Sequence, residues 1–278
     1  MKYIYFTILV TVLYCSKIKG QTIDYAFIKC SYKYSYLKDT LNRTLNESDL
    51  LILQVGKNIS KCYSYYTFQS DSLKATANGK KIWRELFNKA IQKEGINATS
   101  FPYRRLSTYI YKNYPKGKTT VTDNISLQYY IYSEPISTQN WQLVDSTKII
   151  LNYPCQMAVC SFRGREWTAW FAPNIPVSDG PWKLGGLPGL IMEAYDHNSQ
   201  YHFTINGLQK IESEPIIFSK KHVESKKFDK TNRIDFLKAQ KRYLMNMNGY
   251  VKIETGIDIG REASNPIMRY DLLECDYK

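Results

Sequence analysis

Between Pro173 and Ile191 the chain reads PNIPVSDGPWKLGGLPGLI, which holds four of its ten prolines and four of its fourteen glycines. Proline fixes φ and glycine frees it, so a segment rich in both follows a prescribed path. Its apolar residues, Ile175, Val177, Trp182, Leu184, Leu187, Leu190 and Ile191, are foreign to a flexible linker. The stretch is predicted to be an ordered loop that packs against the main body of the fold. Gly185-Gly186 and Gly189 flank Leu187-Pro188, so backbone turns are expected to press Leu187, Leu190 and Ile191 onto a sheet.

That sheet is written along the rest of the chain. Asp24 to Tyr34 alternates, with Ala26, Ile28, Cys30 and Tyr32 on one side, and Leu51, Leu53 and Val55 continue the period of two. Further strands are predicted over Ser60–Phe68, Thr108–Tyr114, Lys118–Thr122, Ile125–Ile131, Thr147–Tyr153, Cys155–Phe162, Glu166–Phe171, Leu190–Tyr195 and Tyr201–Ile205, with a closing strand over Ile267–Cys275. Two helices interrupt them. Ile82, Trp83, Leu86, Phe87, Ala90 and Ile91 recur with helical spacing before Gly95, and Asn232 is placed to cap a second helix that carries Phe236, Leu237 and Leu244 and ends at Asn248-Gly249. The expected class is α+β, a predominantly antiparallel, curved β-sheet with two main helices.

Residues 1–20 begin with Lys2, continue through an apolar stretch from Tyr3 to Cys15 and end in Ile18-Lys19-Gly20, the pattern of a secretory signal peptide. Thirteen residues are too few to cross a hydrocarbon core that takes about 20 helical residues. Residues 21–278 are expected to form a single exported domain, periplasmic, outer-membrane associated or extracellular, and not an integral membrane protein, with Cys15 a candidate for lipidation. Cleavage after Gly20 leaves 35 basic and 25 acidic residues, net +10, from the full chain's 38 and 25. Acids dilute the basic cluster from Lys210 to Arg242, so the charge reads as a solvated surface and no nucleic-acid partner is expected.

Five cysteines, Cys30, Cys62, Cys155, Cys160 and Cys275, follow the leader, and export permits disulfides. Cys155 and Cys160 lie about 16 Å apart along an extended strand, so a bond between them needs a bulge. Otherwise each is expected to find its partner in another strand. Glu193, Asp196, His197 and His202 have the wrong spacing for a zinc signature, no nucleophile motif surrounds any cysteine or serine, and neither a metal nor a cofactor is expected. Three of the five tryptophans fall within sixteen residues. Trp167, Trp170, Asp179, Trp182, Lys183, Leu187 and Pro188 are the candidate ligand-binding residues, a rigid loop walled by aromatics. The alternative is that the same tryptophans staple the loop to the sheet. Asp179 is expected to cap the amides of Gly180–Trp182 or to pair with Arg165.

The run Gly186, Leu187, Pro188, Gly189, Leu190 and Ile191 resembles the signature of the GLPGLI family of exported Bacteroidota proteins. The likeness extends back through Gly180-Pro181-Trp182-Lys183, Trp167-Thr168-Ala169-Trp170 and Gly164-Arg165 to Cys155-Gln156, with Met157 standing where the family pattern has lysine. The resemblance implies an exported protein of a Bacteroidota-type bacterium and carries no catalytic residue, since the family's activity is unassigned. The expected function is non-enzymatic binding or envelope assembly, with a lipid, a peptide or an envelope protein as partner. The alternative is an envelope-associated enzyme, such as a hydrolase.

Overall fold

The computed structural model describes residues 20–40, 46–95, 98–222, 227–256 and 271–278. The predicted signal peptide up to Lys19, Cys15 and residues 267–270 of the predicted closing strand lie outside them. Twelve strands form one sheet. In chain order they are β1 (Gln21–Leu37), β2 (Asn46–Gly56), β3 (Ser60–Ser64), β4 (Tyr109–Lys112), β5 (Lys118–Ile125), β6 (Gln128–Pro135), β7 (Gln142–Ile150), β8 (Tyr153–Phe162), β9 (Arg165–Ala172), β10 (Leu190–Asp196), β11 (Tyr201–Phe218) and β12 (Asp229–Lys230). Four helices accompany them: α1 (Tyr65–Lys74), α2 (Gly79–Glu94), α3 (Arg233–Met245) and α4 (Met247–Thr255).

The spatial order is β12-β6-β5-β4-β3-β2-β1-β11-β10-β9-β8-β7. Two antiparallel meanders, β1 to β6 and β7 to β11, are therefore joined along β1 and β11, and only β12 pairs in parallel, with β6. Curvature follows from one short connection. β6 and β7 are ten strand spacings apart in the ladder, about 48 Å if the sheet were flat. The chain joins them through Ile136–Trp141, which reaches about 25 Å at full stretch. The sheet must curl until the two strands approach each other, as the expected curved sheet requires.

Alternation assigns the two faces. Cys30, Tyr32, Leu53, Cys62, Ile110, Val121, Ala158, Cys160, Trp167, Ala169 and Phe171 point inward into one buried core. Their strand neighbours Lys29, Gln54, Lys61, Tyr111 and Glu166 point outward.

Several expectations need correction. The run predicted as a strand over Ser60–Phe68 changes to helix at Tyr65, because Ser64 accepts a hydrogen bond from the Thr67 amide at 3.2 Å and so caps α1; this local cap outweighs the strand preference of Tyr65, Tyr66 and Thr67. The C-terminal helix stops at Met245 rather than at Asn248-Gly249, and Asn246 opens α4, its side chain accepting from the Gly249 amide at 3.2 Å. There are thus four helices where two were expected. α2 forms where predicted, but Ile82 and Leu86 on its apolar stripe are exposed, while Trp83 and Phe87 stack and meet Phe101. Residues 271–275 are not a strand. All five described cysteines are free thiols, so neither proposed disulfide arrangement forms.

Candidate functional site

The Pro173–Ile191 loop leaves β9, enters the concave side of the curled sheet and returns as β10. Its two limbs are tied together by Leu190 N–H donating to Ile175 O at 3.1 Å and Ile191 N–H to Asp179 O at 2.9 Å. The apolar residues flagged in the sequence face inward: Leu184, Leu190 and Ile191 are fully buried, Leu187 is 1% exposed and Trp182 6%. Trp182 packs against Phe162 and Trp167, each ring pair 5.6 Å apart, and Tyr32 donates a buried hydrogen bond to Ile191 O at 2.7 Å. The loop is the filling of the half-closed barrel.

Its glycines serve distinct ends. Gly186 has φ +86°, the left-handed region that glycine enters without strain, whereas Gly189 has an ordinary φ but lies so close to β9 that a Cβ would run into the Ala172 carbonyl oxygen. Polar clamps hold the outer limb. Lys112 of β4 pairs with Asp179 and donates to Gly180 O at 2.7 Å and Leu184 O at 3.0 Å. Trp141 donates from Nε1 to Gly185 O at 2.8 Å, and Gln139 meets Gly185 N and Lys183 O, both at 3.2 Å.

Beneath this limb lies a cluster of three cations and three acids, with Lys183, Glu134 and Glu274 buried at its centre, Arg163 and Arg233 half-buried and Asp276 exposed. Lys183 Nζ is 2.6 Å from Glu134 and 2.5 Å from Glu274. Arg163 reaches Glu134 at 2.5 Å, and Arg233 reaches Glu274 at 2.9 Å and Asp276 at 2.6 Å. The cluster ties the loop, the β8–β9 turn, β6, α3 and the C-terminal segment to one another with no formal excess charge. Arg165, in turn, is paired with Asp196 at 2.8 Å and donates to Leu272 O and Leu273 O.

Between the loop, the β2–β3 turn and the β6–β7 connection lies a cleft of about 640 Å³. Asp179, Lys183, Leu184 and Gly186 line it from the loop, and Lys112, Glu134 and Arg163 from the sheet. Of the predicted ligand-binding residues, only Asp179 and Lys183 reach this cleft. Trp167, Trp182 and Leu187 are committed to the core, and Trp170, also buried in it, alternates to the other side of β9, with the Lys148 ammonium 4.3 Å from its ring centroid. Pro188 is not among the cleft-lining residues. Asp179 caps a single amide of the predicted turn, Gly180 N at 2.7 Å, and pairs with Lys112, not with Arg165. Glu193 and His202 pair at 2.7 Å on the outer face, whereas Asp196 is buried with Arg165 on the other, so the hairpin cluster is split between two faces; no group of three candidate metal ligands exists among the described residues.

Sequence reasoning missed Lys112, Glu134, Arg163 and the C-terminal acids, which come from segments far apart in the chain. One signal was available. Lys112 and Glu134 occupy inward positions of β4 and β6, where an unpaired charge is not tolerated and a partner must exist.

No cysteine or histidine lines the cleft. Burial pushes the thiols of Cys30 and Cys160 up to about 12 and that of Cys62 to about 11, and raises those of Cys155 and Cys275, so thiolates are suppressed at neutral pH. None of His197, His202 and His222 lines the cleft, so its hydroxyls have no imidazole base beside them.

A family model described as a protein of unknown function (Porph_ging) matches residues 163–193, a stretch that contains the whole Gly186–Ile191 motif and the loop limbs just described. No curated protein matches the sequence. Among solved structures, PNGF-II in two crystal forms is similar at 12% identity, with TM-scores of 0.47 and 0.48 over 75% and 77% of this chain. The chain spans about a third of the length of those proteins, 32% in both cases. The segment that the sequence singles out by composition is thus also the one for which a family of unknown function has a model.

Proposed function

We propose that this chain is a GLPGLI-type protein exported to the cell envelope, and that it is a non-enzymatic binding or assembly module whose loop cleft accepts a polar, peptide-like ligand. The observation that carries this reading is the wall of the cleft. Uncharged hydrogen-bonding groups, Asn58, Asn113, Ser137, Thr138 and Ser178, stand among apolar Phe27, Ile59 and Ile136 and beside charges of which Lys112, Asp179, Glu134, Arg163 and Lys183 are already ion-paired, while Lys57 is in none of the ion pairs of the described residues. Such a wall offers donors and acceptors to a peptide backbone and apolar surface to its side chains. The Ser60 hydroxyl adds to it, buried and with no hydrogen-bond partner among the described residues, a group that a ligand can satisfy.

The test is native mass spectrometry of protein purified from its own envelope. The expected result is a co-purified peptide mass that disappears in Ser178→Trp, a substitution at an exposed position that fills the cleft without touching the core. A wild-type protein that is bare under gentle ionisation, or that is labelled by broad hydrolase probes, counts against the reading. The same spectra read the N-terminus, and a mature chain starting at Gln21 is the outcome that supports export with signal cleavage.

A further inference from the structure

On the outer face of the sheet, behind the loop, lies a second cavity of about 740 Å³. Its floor is a row of strand residues with their partners in register: Lys61 opposite Tyr111, and Tyr63 opposite Tyr109. α1 supplies Phe68 as one wall, and the end of β11, with Ile217, supplies another. Lys61 is 6% exposed, and four rings surround its ammonium: Tyr63 at 4.8 Å, Tyr109 at 5.3 Å, Tyr111 at 5.5 Å and Phe68 at 5.8 Å from nitrogen to ring centroid. An ammonium has three N–H donors. Here one meets Ile217 O at 3.3 Å, and no carboxylate of the described residues comes within ion-pairing distance.

The acids around the cavity are engaged elsewhere. Glu214 is bound by Lys29 at 2.9 Å and Gln54 at 2.7 Å. Asp71 is held by Arg104 at 3.2 Å and by the Tyr109 hydroxyl at 3.0 Å, and Asp123 by the hydroxyls of Ser107 and Thr108. His222 stacks on Tyr129, ring centroids 3.8 Å apart, while Lys220 and Lys221 are exposed on the rim and add positive charge. The lining therefore combines apolar rings with a cation that has donors to spare.

We infer that this cavity is a second binding site, for an amphipathic organic anion whose carboxylate or sulfonate meets Lys61 and whose apolar body lies against Tyr63, Phe68, Tyr109 and Tyr111. The anion supplies the countercharge that the fold withholds, and the rings supply a surface for its apolar part. Burial brings the Lys61 amine down to about 8, against which the charge of Glu214 acts, so at neutral pH most of the population carries the charge that the anion needs. The site is separate from the loop cleft and shares no lining residue with it.

Isothermal titration with 2-naphthoate and its neutral isostere 2-naphthamide tests this. At pH 7 wild-type protein is expected to bind naphthoate about tenfold or more tightly than naphthamide, the scale of one charge-assisted hydrogen bond. Lys61→Met is expected to abolish that preference while leaving naphthamide unchanged, and raising the pH to 9.5 is expected to weaken naphthoate in the wild type alone. Ser178→Trp, which blocks the loop cleft, is expected to leave naphthoate binding intact, so failure of one site is distinguishable from failure of the other. Methionine keeps the length of the buried stem, and a cooperative melt of Lys61→Met shows that the variant is folded. Equal naphthoate affinity in the wild type and Lys61→Met, or no saturable binding to the wild type, overturns the proposal; in that case Lys61 is a structural cation held by the rings and the Ile217 carbonyl.

Discussion

Lys183 and Lys61 are both buried lysines on either side of one curled sheet, and they have been treated in opposite ways. Lys183 sits between two carboxylates in a cluster that also draws in Arg163 and Arg233. Lys61 has rings and one carbonyl. Burial costs both of them hydration, but in the first case the fold returns the interaction with opposite charges, and in the second it leaves much of the cost standing. The side with matched charges is a latch that fixes the loop. The side with an unmatched charge keeps the capacity to interact with something else.

The largest expected effect tests the latch. Lys183→Met leaves Glu134 and Glu274 buried with fewer partners, and denaturant unfolding is expected to show a loss of about 3 kcal/mol, the range for breaking a buried ion pair. A loss below about 1 kcal/mol would mean that Arg163 and Arg233 suffice, and the contrast between the two lysines would collapse.

Lys61→Met should act in the opposite direction. The folded pKa of about 8 lies below the ordinary 10.5, so between these values the unfolded chain binds more protons and the stability contributed by this group rises with pH. Below pH 8 the full penalty is present. The variant is therefore expected to exceed the wild type by about 2 to 3 kcal/mol at pH 7, an advantage that fades toward pH 10.5. Urea titrations at pH 7 and pH 10 check this, and an advantage independent of pH would sink it.

Two smaller effects sharpen the description of the latch. Gly189→Ala is expected to cost about 2 kcal/mol through overpacking against Ala172, and Gly186→Ala about 1 kcal/mol through its positive φ alone. Thermal unfolding ranks them, and the reverse order would mean that the loop relaxes away from β9. Trp141→Phe removes the hydrogen bond to Gly185 O together with part of the indole's packing against the core and is expected to cost about 1 kcal/mol. An unchanged midpoint would mean that the outer limb is held by Lys112 and Gln139 alone.

Sequence reasoning reached different depths in different places. Period-two alternation located most strands, since one face of nearly every strand meets a core, as along Cys30, Tyr32 and Tyr34. It failed at β11, which runs on to Phe218 although Gln209–Glu214 are exposed or half-buried and, Ile211 apart, charged or polar; pairing with β1 at Lys210 and again from Glu214, across a register shift, accompanies that stretch. It failed again at α1, where Ser64 was the only local sign of a helix start. The loop's inward residues were legible because their apolar character had no other use. The cleft was not, because Lys112, Glu134, Arg163 and Lys183 meet through topology, and a sequence records a charge without recording its partner. The lysine between Ser60 and Cys62 likewise gave no hint that its outward neighbours would be four rings.

The position of β1 has a consequence for how such a chain comes to exist. The strand nearest the start of the sheet-forming sequence is also its middle seam, with Gln21 opposite Phe218. Until β11 has emerged, one long edge of β1 stays open, with Tyr32 and Tyr34 lacking the neighbours that later bury them. Contacts of such wide sequence separation close slowly, and a chain waiting for them is vulnerable to pairing with its own copies. Assembly of the two meanders is thus a race between pairing of β1 with β11 and self-association, and it is decided late, when the second half of the chain reaches the first.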